Sequence, residues 1–473
     1  MAVSCGDRFT LAVTEDGGLW GWGDDRCYAL GRGPVAANME SMHSQIHTPQ
    51  RVRPERTQCA IPKGVVAVSA GSMHSACVTE AGEVWMWGNG HLGEIGQGAP
   101  QSHNSPKCIP RAEHGDVDVV MVSCASSHTL VLTVDGSAWS CGSSPHGALG
   151  HNTPAGDRTC AGRLARVQTA AAGGTGTVQA APRFAMLAAG FRHSVAVDRH
   201  GAVWCWGHHV ASGQPGADDV LVATRVPCVA GLAEVLFVAA GSEYSLAVTG
   251  GGALWAWGEN THGELGLGHT RASRLPAQVL APADFCAAPV VMAACGGGQS
   301  LAVTRDGVLW AWGQAFSRRV ASSSAPVRVR VPRHTSFVAA AVGDAHLAAV
   351  SEDGVLFTWG GNKDLKRVNA ALANGLGCEP VVATVFPRRV ELMRRRVGRC
   401  QRPMAPVFAL ALAMGTHPRL GDADSTLFTM STDLLCQIVT ATAVWPQCAA
   451  TSLPGPARLL GGGFMSQCPA HVF

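Results

Sequence analysis

The chain has 473 residues, of which 47% are hydrophobic and 15% charged, with a formal net charge of +3. This composition buries a core and excludes a largely disordered chain. The near-balanced charge offers no global attraction to nucleic acid or an anionic membrane, so neither is expected as a partner.

The N-terminal stretch "MAVSCGDRFTLAVTEDG" has no basic segment followed by an apolar run. A cytoplasmic or nuclear protein without a secretory signal is therefore expected. No uncharged apolar stretch of membrane-spanning length appears, so no membrane span is expected either. The 17 cysteines contain no C-x-x-C pair. Cys77, Cys124, Cys141, Cys205 and Cys295 stand where other copies of a repeat have small residues. They read as buried small hydrophobes in a reducing compartment.

The repeat begins at once. "GGLWGWG" ends at Gly23, and it returns as "GEVWMWG", "GSAWSCG", "GAVWCWG", "GALWAWG", "GVLWAWG" and "GVLFTWG", the last ending at Gly360. These stretches hold 12 of the 13 tryptophans, leaving out Trp445. An 18-residue block recurs seven times without insertion. It opens on Gly6, Gly71, Ala125, Gly190, Gly241, Gly296 and Gly343, and turns on Gly17, Gly82, Gly136, Gly201, Gly252, Gly307 and Gly354. Its second tryptophan position holds Trp22, Trp87, Trp206, Trp257, Trp312 and Trp359, with Cys141 in the third copy.

Within a block, an alternating run such as "HSACVTE" reads as a strand. A two-residue turn ending in glycine, such as Asp306-Gly307, should lead into an antiparallel strand carrying the tryptophan pair. Residues two apart share a face, so both indoles should enter one layer and pack one small sheet on the next. Segments with Pro and Val ("TPQRVRP", "LPAQVLA", "APVRVRV", "FPRRVEL") read as outer strands. The second pair position recurs at spacings of 65, 54, 65, 51, 55 and 47 residues. That suits propeller blades. The expected fold is all-β: a seven-bladed β-propeller over residues 1–392 with a short C-terminal helical extension. A strand within about 381–392 is expected to close the ring beside the segment beginning at Ala2.

The run Gly-x-x-His-Ser-x-x-Val-Thr-x-x-Gly-x-Leu-Trp-x-Trp-Gly resembles the regulator of chromosome condensation repeat. Four copies carry its tail, as "YALGRG", "GEIGQG", "HGALGHN" and "HGELGLG". The resemblance covers roughly residues 2 to 391 and implies a seven-bladed propeller. The fourth, sixth and seventh units lack the glycine-leucine-glycine tail, so atypical loops are expected there. Light-sensing relatives use tryptophans just after the block's first glycine. Here those positions hold Asp7, Ser72, Ser126, Phe191, Ser242, Gly297 and Asp344, which argues against that role.

His74, His128, His193 and His346 lie three residues after the first glycine, where other copies have Phe9, Tyr244 and Gln299. A position that accepts Phe reads as structural, a buried packing or hydrogen-bonding residue. The long stretches 34–66, 99–119, 151–184 and 208–235 are where binding is expected. None of them spells a nucleotide or metal site.

The stretch 387–402 is a basic cluster containing Arg388, Arg389, Arg394, Arg395, Arg396 and Arg399. It reads as a solvated linker (393–404), or as an anionic docking patch or nuclear-import signal. Beyond it, residues 405–473 are expected to form an extension with one amphipathic helix. Ser431 or Thr432 would cap it, and Leu434, Leu435, Ile438, Val439 and Thr442 would share a face. "MSTDLLCQIV" resembles the opening of an F-box.

No paired carboxylates, nucleophile–base set or phosphate loop emerges. The expected function is a non-catalytic protein-interaction scaffold with no cofactor and no metal. Two alternatives follow from the resemblances: guanine-nucleotide exchange on a small GTPase, and substrate recruitment in a ubiquitin-ligase pathway.

Overall fold

A computed structural model describes residues 2–385 except 15, 34–44, 53–63, 154–159, 171–180, 217, 228–230, 281, 315–321, 330, 332–334, 345 and 361–380. The basic cluster and the expected C-terminal helix lie outside the described residues.

The strands form seven four-stranded antiparallel sheets, each built from one contiguous stretch of chain. Blade five shows the plan. Its strands are Val235–Ala240, Tyr244–Thr249, Leu254–Gly258 and Ser273–Gln278, in that order from the axis outward. The first strands of all blades neighbour one another around the ring. The fourth strands are the outer edges, and "TPQRVRP", "LPAQVLA" and "APVRVRV" overlap three of them as expected.

The block glycines follow from backbone geometry. Gly307 has φ +77°, and the other six turn glycines are likewise left-handed. The turn, however, has three residues rather than two. Gly307 N–H donates to Thr304 O at 2.8 Å, and Thr304 N–H donates to Val308 O at 3.0 Å. This is a type I turn followed by a left-handed residue, so glycine alone takes the positive φ. Asp306 instead accepts from the Thr304 hydroxyl at 2.6 Å. The turns of the first six blades also reach the next blade, as where Gly307 O accepts from Phe337 N–H at 2.9 Å.

The tryptophan pair packs as expected. Trp310 and Trp312 enter one cluster with Leu246, Val248, Leu254, Ala256 and Phe285 of the preceding blade. Trp85 and Trp87 of blade two pack against blade one, and Trp255 and Trp257 of blade five pack against blade four. Around the ring, each sheet thus presents its aromatic face to the sheet before it.

The repeat tails, between third and fourth strands, bind the same indoles. Ala29 O accepts from Trp87 Nε1 at 2.8 Å and from Ser75 Oγ at 2.7 Å. Ala148 O accepts from Trp206 at 2.7 Å and from Ser194 at 2.8 Å. Glu264 O accepts from Trp312 at 2.8 Å and from Ser300 at 2.7 Å. Where Cys141 replaces tryptophan, Glu94 O accepts from Thr129 Oγ1 at 2.7 Å and from Cys141 Sγ at 3.5 Å. The fourth tail was expected to be atypical, yet it does the same work: Ala211 O, in "HVASG", accepts from Trp257 Nε1 at 3.1 Å. A carbonyl at the right place suffices, whatever side chains surround it. Residues 315–321 of the sixth tail and the whole of the seventh, 361–380, are outside the described residues.

The expected closure strand needs correcting. Val381–Val385 does form a strand, but it pairs with Val355–Gly360 as the outer edge of blade seven. It does not pair with the segment at Ala2. Ala2–Cys5 is instead the inner strand of blade one, paired with Phe9–Val13. "FPRRVEL" lies outside the described residues. The ring closes by side-chain packing: Cys5, Ala12 and Trp22 meet Ala348, Val350 and Leu356 of blade seven.

The four histidines are buried and span seams. Their Nε2 atoms bond Thr129 from His74 at 2.8 Å, Ser194 from His128 at 3.0 Å and Ser245 from His193 at 2.9 Å. His346 bonds Thr10 at 2.9 Å and so ties the last blade to the first. Burial pushes their pKa values down, to about 3 for His74 and His193 and about 4 for His128 and His346. All four are neutral at physiological pH, as the structural reading requires. Tyr244 replaces the histidine in blade five, and its hydroxyl reaches the Gln299 carbonyl.

Cys77, Cys124, Cys141 and Cys205 are buried free thiols, whereas Cys295 is half-buried. Burial raises the pKa of each.

Candidate functional site: the loop-and-tail face

In an antiparallel blade the first-to-second and third-to-fourth connections leave at the same end. One face of the ring is therefore built from the short loops after the block glycine and from the tails. Backbone bonds fix the two to each other within a blade: Asn89 N–H donates to Met73 O at 2.9 Å, and His208 N–H to Arg192 O at 2.9 Å. The turn glycines and the tryptophans of the repeat lie elsewhere, at the opposite end and in the seams.

Large apolar side chains do reach solvent here. Met73 is 45% exposed and Phe191 44%, both in the short loops; Tyr28 and Leu92, in tails, are also exposed. Cys27 Sγ lies 3.7 Å from Met73 Sδ, which joins the first tail to the second blade's loop. Arg192 lies 5.4 Å over the Phe191 ring and 3.0 Å from Glu243. Near the axis, burial raises the Asp7 carboxyl, with a bond from Ser72 opposing and Asp344 adding to the rise.

One polar cluster stands out beside Phe191. His146 comes from the third tail, and His208, His209 and Asp219 from the stretch between third and fourth strands of blade four. His146 Nδ1 lies 2.9 Å from Asp219 Oδ2. The other oxygen, Oδ1, accepts from His209 N–H at 3.0 Å and lies 3.3 Å from His209 Nδ1. The His208 ring is edge-on to both, with centroids 4.9 Å from His146 and 4.5 Å from His209. Its Nδ1 is buried without a hydrogen-bond partner, 3.7 Å from Glu243 Oε2. Burial alone would raise the Asp219 carboxyl, but the bonds from His146 and His209 prevail and hold it below the usual range. Burial lowers the His208 imidazole against the pull of Glu243.

Sequence reasoning missed this cluster. Its only local signal was "GHHV" within a long stretch already marked for binding. The seven turn glycines have positive φ, and Trp22, Trp87, Trp206, Trp257, Trp312 and Trp359 are buried. The arginine patch is outside the described residues.

Seven sheets, seams of tail carbonyl and indole, and a loop face define a β-propeller of the repeat class anticipated from sequence. The chain belongs to the RCC1-like domain family, which matches residues 47–402, and the Regulator of chromosome condensation (RCC1) repeat matches residues 2–29. It is 29% identical over 319 residues to the Ultraviolet-B receptor UVR8 of Arabidopsis thaliana, covering 66% of this chain and 65% of that protein. It is 29% identical over 315 residues to the E3 ubiquitin-protein ligase HERC2 of Homo sapiens, covering 64% of this chain but 6% of that protein. The chain therefore spans less than two thirds of these relatives. The human WBSCR16 crystal structure superposes with a TM-score of 0.63 at 19% identity, covering 80% of this chain and 94% of that one. Prp20p of Saccharomyces cerevisiae gives 0.59 at 19% identity, covering 80% and 86%. Among the described residues, no helix is long and apolar enough to cross a membrane.

Proposed function

We propose that the chain is a non-catalytic protein-interaction scaffold that engages partner proteins through the loop-and-tail face. The observation that carries this reading is the exposure of Met73, Phe191, Tyr28 and Leu92 on that face, beside the Arg192–Glu243 pair. Aromatic, Met and Arg side chains are the types enriched in protein interfaces. Prp20p, which shares the fold, is described with binding to Gsp1p and histones, and in a complex with Kap60. In this reading the protein acts in the cytoplasm or nucleus. Residues 405–473 form a separate extension, and Arg388, Arg389, Arg394, Arg395, Arg396 and Arg399 offer an anionic partner a second contact.

The test is affinity capture from native cells with the full chain. A Met73→Glu, Phe191→Glu double variant should lose its specific partners. Leu280→Glu, at a site 69% exposed just beyond an outer strand, should keep them. Equal capture by both variants refutes the assignment of the face.

Guanine-nucleotide exchange is the second reading, supported by the fold shared with Prp20p. Release of labelled GDP from a panel of small GTPases tests it, and release unchanged across the panel removes it. The ubiquitin-ligase reading rests on the alignment with HERC2, and ligase-adaptor subunits bound to residues 405–473 would be its mark.

A further inference from the structure

We propose that His146, His208 and Asp219 form a binding site for a divalent transition-metal ion, Zn²⁺ being the physiological candidate, which staples the third repeat tail to the fourth. One ligand atom from each of the three residues lies within 4.8 Å of the others, and the three side chains are partly buried. Two imidazoles and one carboxylate form a donor set for borderline ions such as Zn²⁺ and Co²⁺, rather than for Mg²⁺ or Ca²⁺. The 2.9 Å between His146 Nδ1 and Asp219 Oδ2 is a spacing that two ligands of one ion can keep. Ion binding requires the His146 Nδ1 lone pair, so the proton now shared with Asp219 must leave that nitrogen; the ring can carry one on Nε2 instead.

The surroundings are those of a supported site. His209 holds Asp219 Oδ1 through its backbone N–H and through its ring, which fixes the carboxylate. Glu243 stands 3.7 Å from His208 Nδ1, close enough to orient that ring once it is ligated. Outer partners of this kind are typical of metal-bound histidines. The third tail already packs on the fourth strand of blade four, next to Asp219: a Cβ on Gly147 would meet the Leu221 side chain at 2.8 Å, and Asn152 N–H donates to Leu221 O at 3.1 Å.

The repeat supplies an internal control. His262 occupies in "THGELG" the place that His146 occupies in "PHGALG". Among the described residues, it belongs to no such group of ligands, and the His146 group is the one found.

The experiment uses the full chain, freed of metal by chelation and with accessible thiols alkylated, because Cys108, Cys160 and Cys286 are exposed competitors. Co²⁺ is titrated by its visible ligand-field bands, then displaced by Zn²⁺ in calorimetric competition. One equivalent should bind with nitrogen and oxygen ligation. His146→Ala and Asp219→Asn should each weaken it by more than about 10-fold, the loss that even an outer partner can cause. His262→Ala should leave it unchanged. Melting of each variant in chelator, matched to the parent, shows that the ring is intact. Binding that is unaffected by His146→Ala, or that shows thiolate-to-cobalt charge transfer, overturns the proposal. So does the lack of any saturable binding in the parent.

Discussion

The indole Nε1 of Trp257 in blade five donates to the carbonyl of Ala211 in blade four, 3.1 Å away and fully buried. The second tryptophan of a pair is therefore more than an apolar plate. It donates to a buried tail carbonyl, which at Ala29, Ala148 and Glu264 also accepts from a serine hydroxyl, and it rests on the preceding sheet. Trp257→Ala or Trp312→Ala loses both contributions. Each should destabilise the fold by about 3–5 kcal/mol, as large core truncations do. Thermal melts within a degree or two of the parent would contradict this.

Gly307→Val should be strongly destabilising. A β-branched side chain is strained at φ +77°, and a Cβ there would run into Ser336 of the next blade. Asp306→Asn should be nearly silent, because an amide oxygen can still accept from the Thr304 hydroxyl at 2.6 Å. Equal losses in denaturant midpoint would show that the aspartate has a role beyond the turn.

The seam histidines tie stability to pH. Their folded pKa values, about 3 for His74 and His193 and about 4 for His128 and His346, lie below the ordinary 6.5. Between these limits the unfolded chain binds the additional protons, so stability rises with pH across that window. It is complete above 6.5 and is lost as pH falls toward 4. Each histidine contributes up to about 1.4 kcal/mol per pH unit inside the window. Burial raises the carboxyls of Asp25 and Glu94, which oppose part of this slope. His193→Gln, matching the native Gln299, should flatten the dependence of melting temperature on pH between 4 and 6.5. An unchanged slope would mean that the histidine is not neutral when folded.

Truncation after residue 404 should leave the propeller folded and its melting cooperative. Truncation after residue 378 removes the strand Val381–Val385 but spares the Thr10–His346 bond and the packing around Trp22. It should lower the melting temperature without abolishing the transition. Aggregation of the 404 truncation would place the C-terminal extension in the core.

The blades could be read from the sequence because the 18-residue block has no insertion, so every Gly, Trp and His keeps its register. The turn length could not, since Asp-Gly reads alike in two- and three-residue loops and only the Thr304–Val308 bond separates them. Closure was misread because alternation in "VVATVF" marks a strand without naming its neighbour. The histidine cluster was hidden for another reason: His146 and Asp219 are 73 positions apart, and His146 looks locally like His262. Only the juxtaposition of two tails distinguishes them.

The bond between Thr10 and His346 repeats the chemistry of the other histidine seams. A linear stack of repeats frays from its ends, where a terminal unit has one neighbour and leaves by breaking one interface. In this ring no unit is terminal. Detaching any sheet means parting two interfaces, and opening one interface frees none of the seven. Loss of structure should therefore proceed as one event shared by all seven units, with no partially unravelled species along the way.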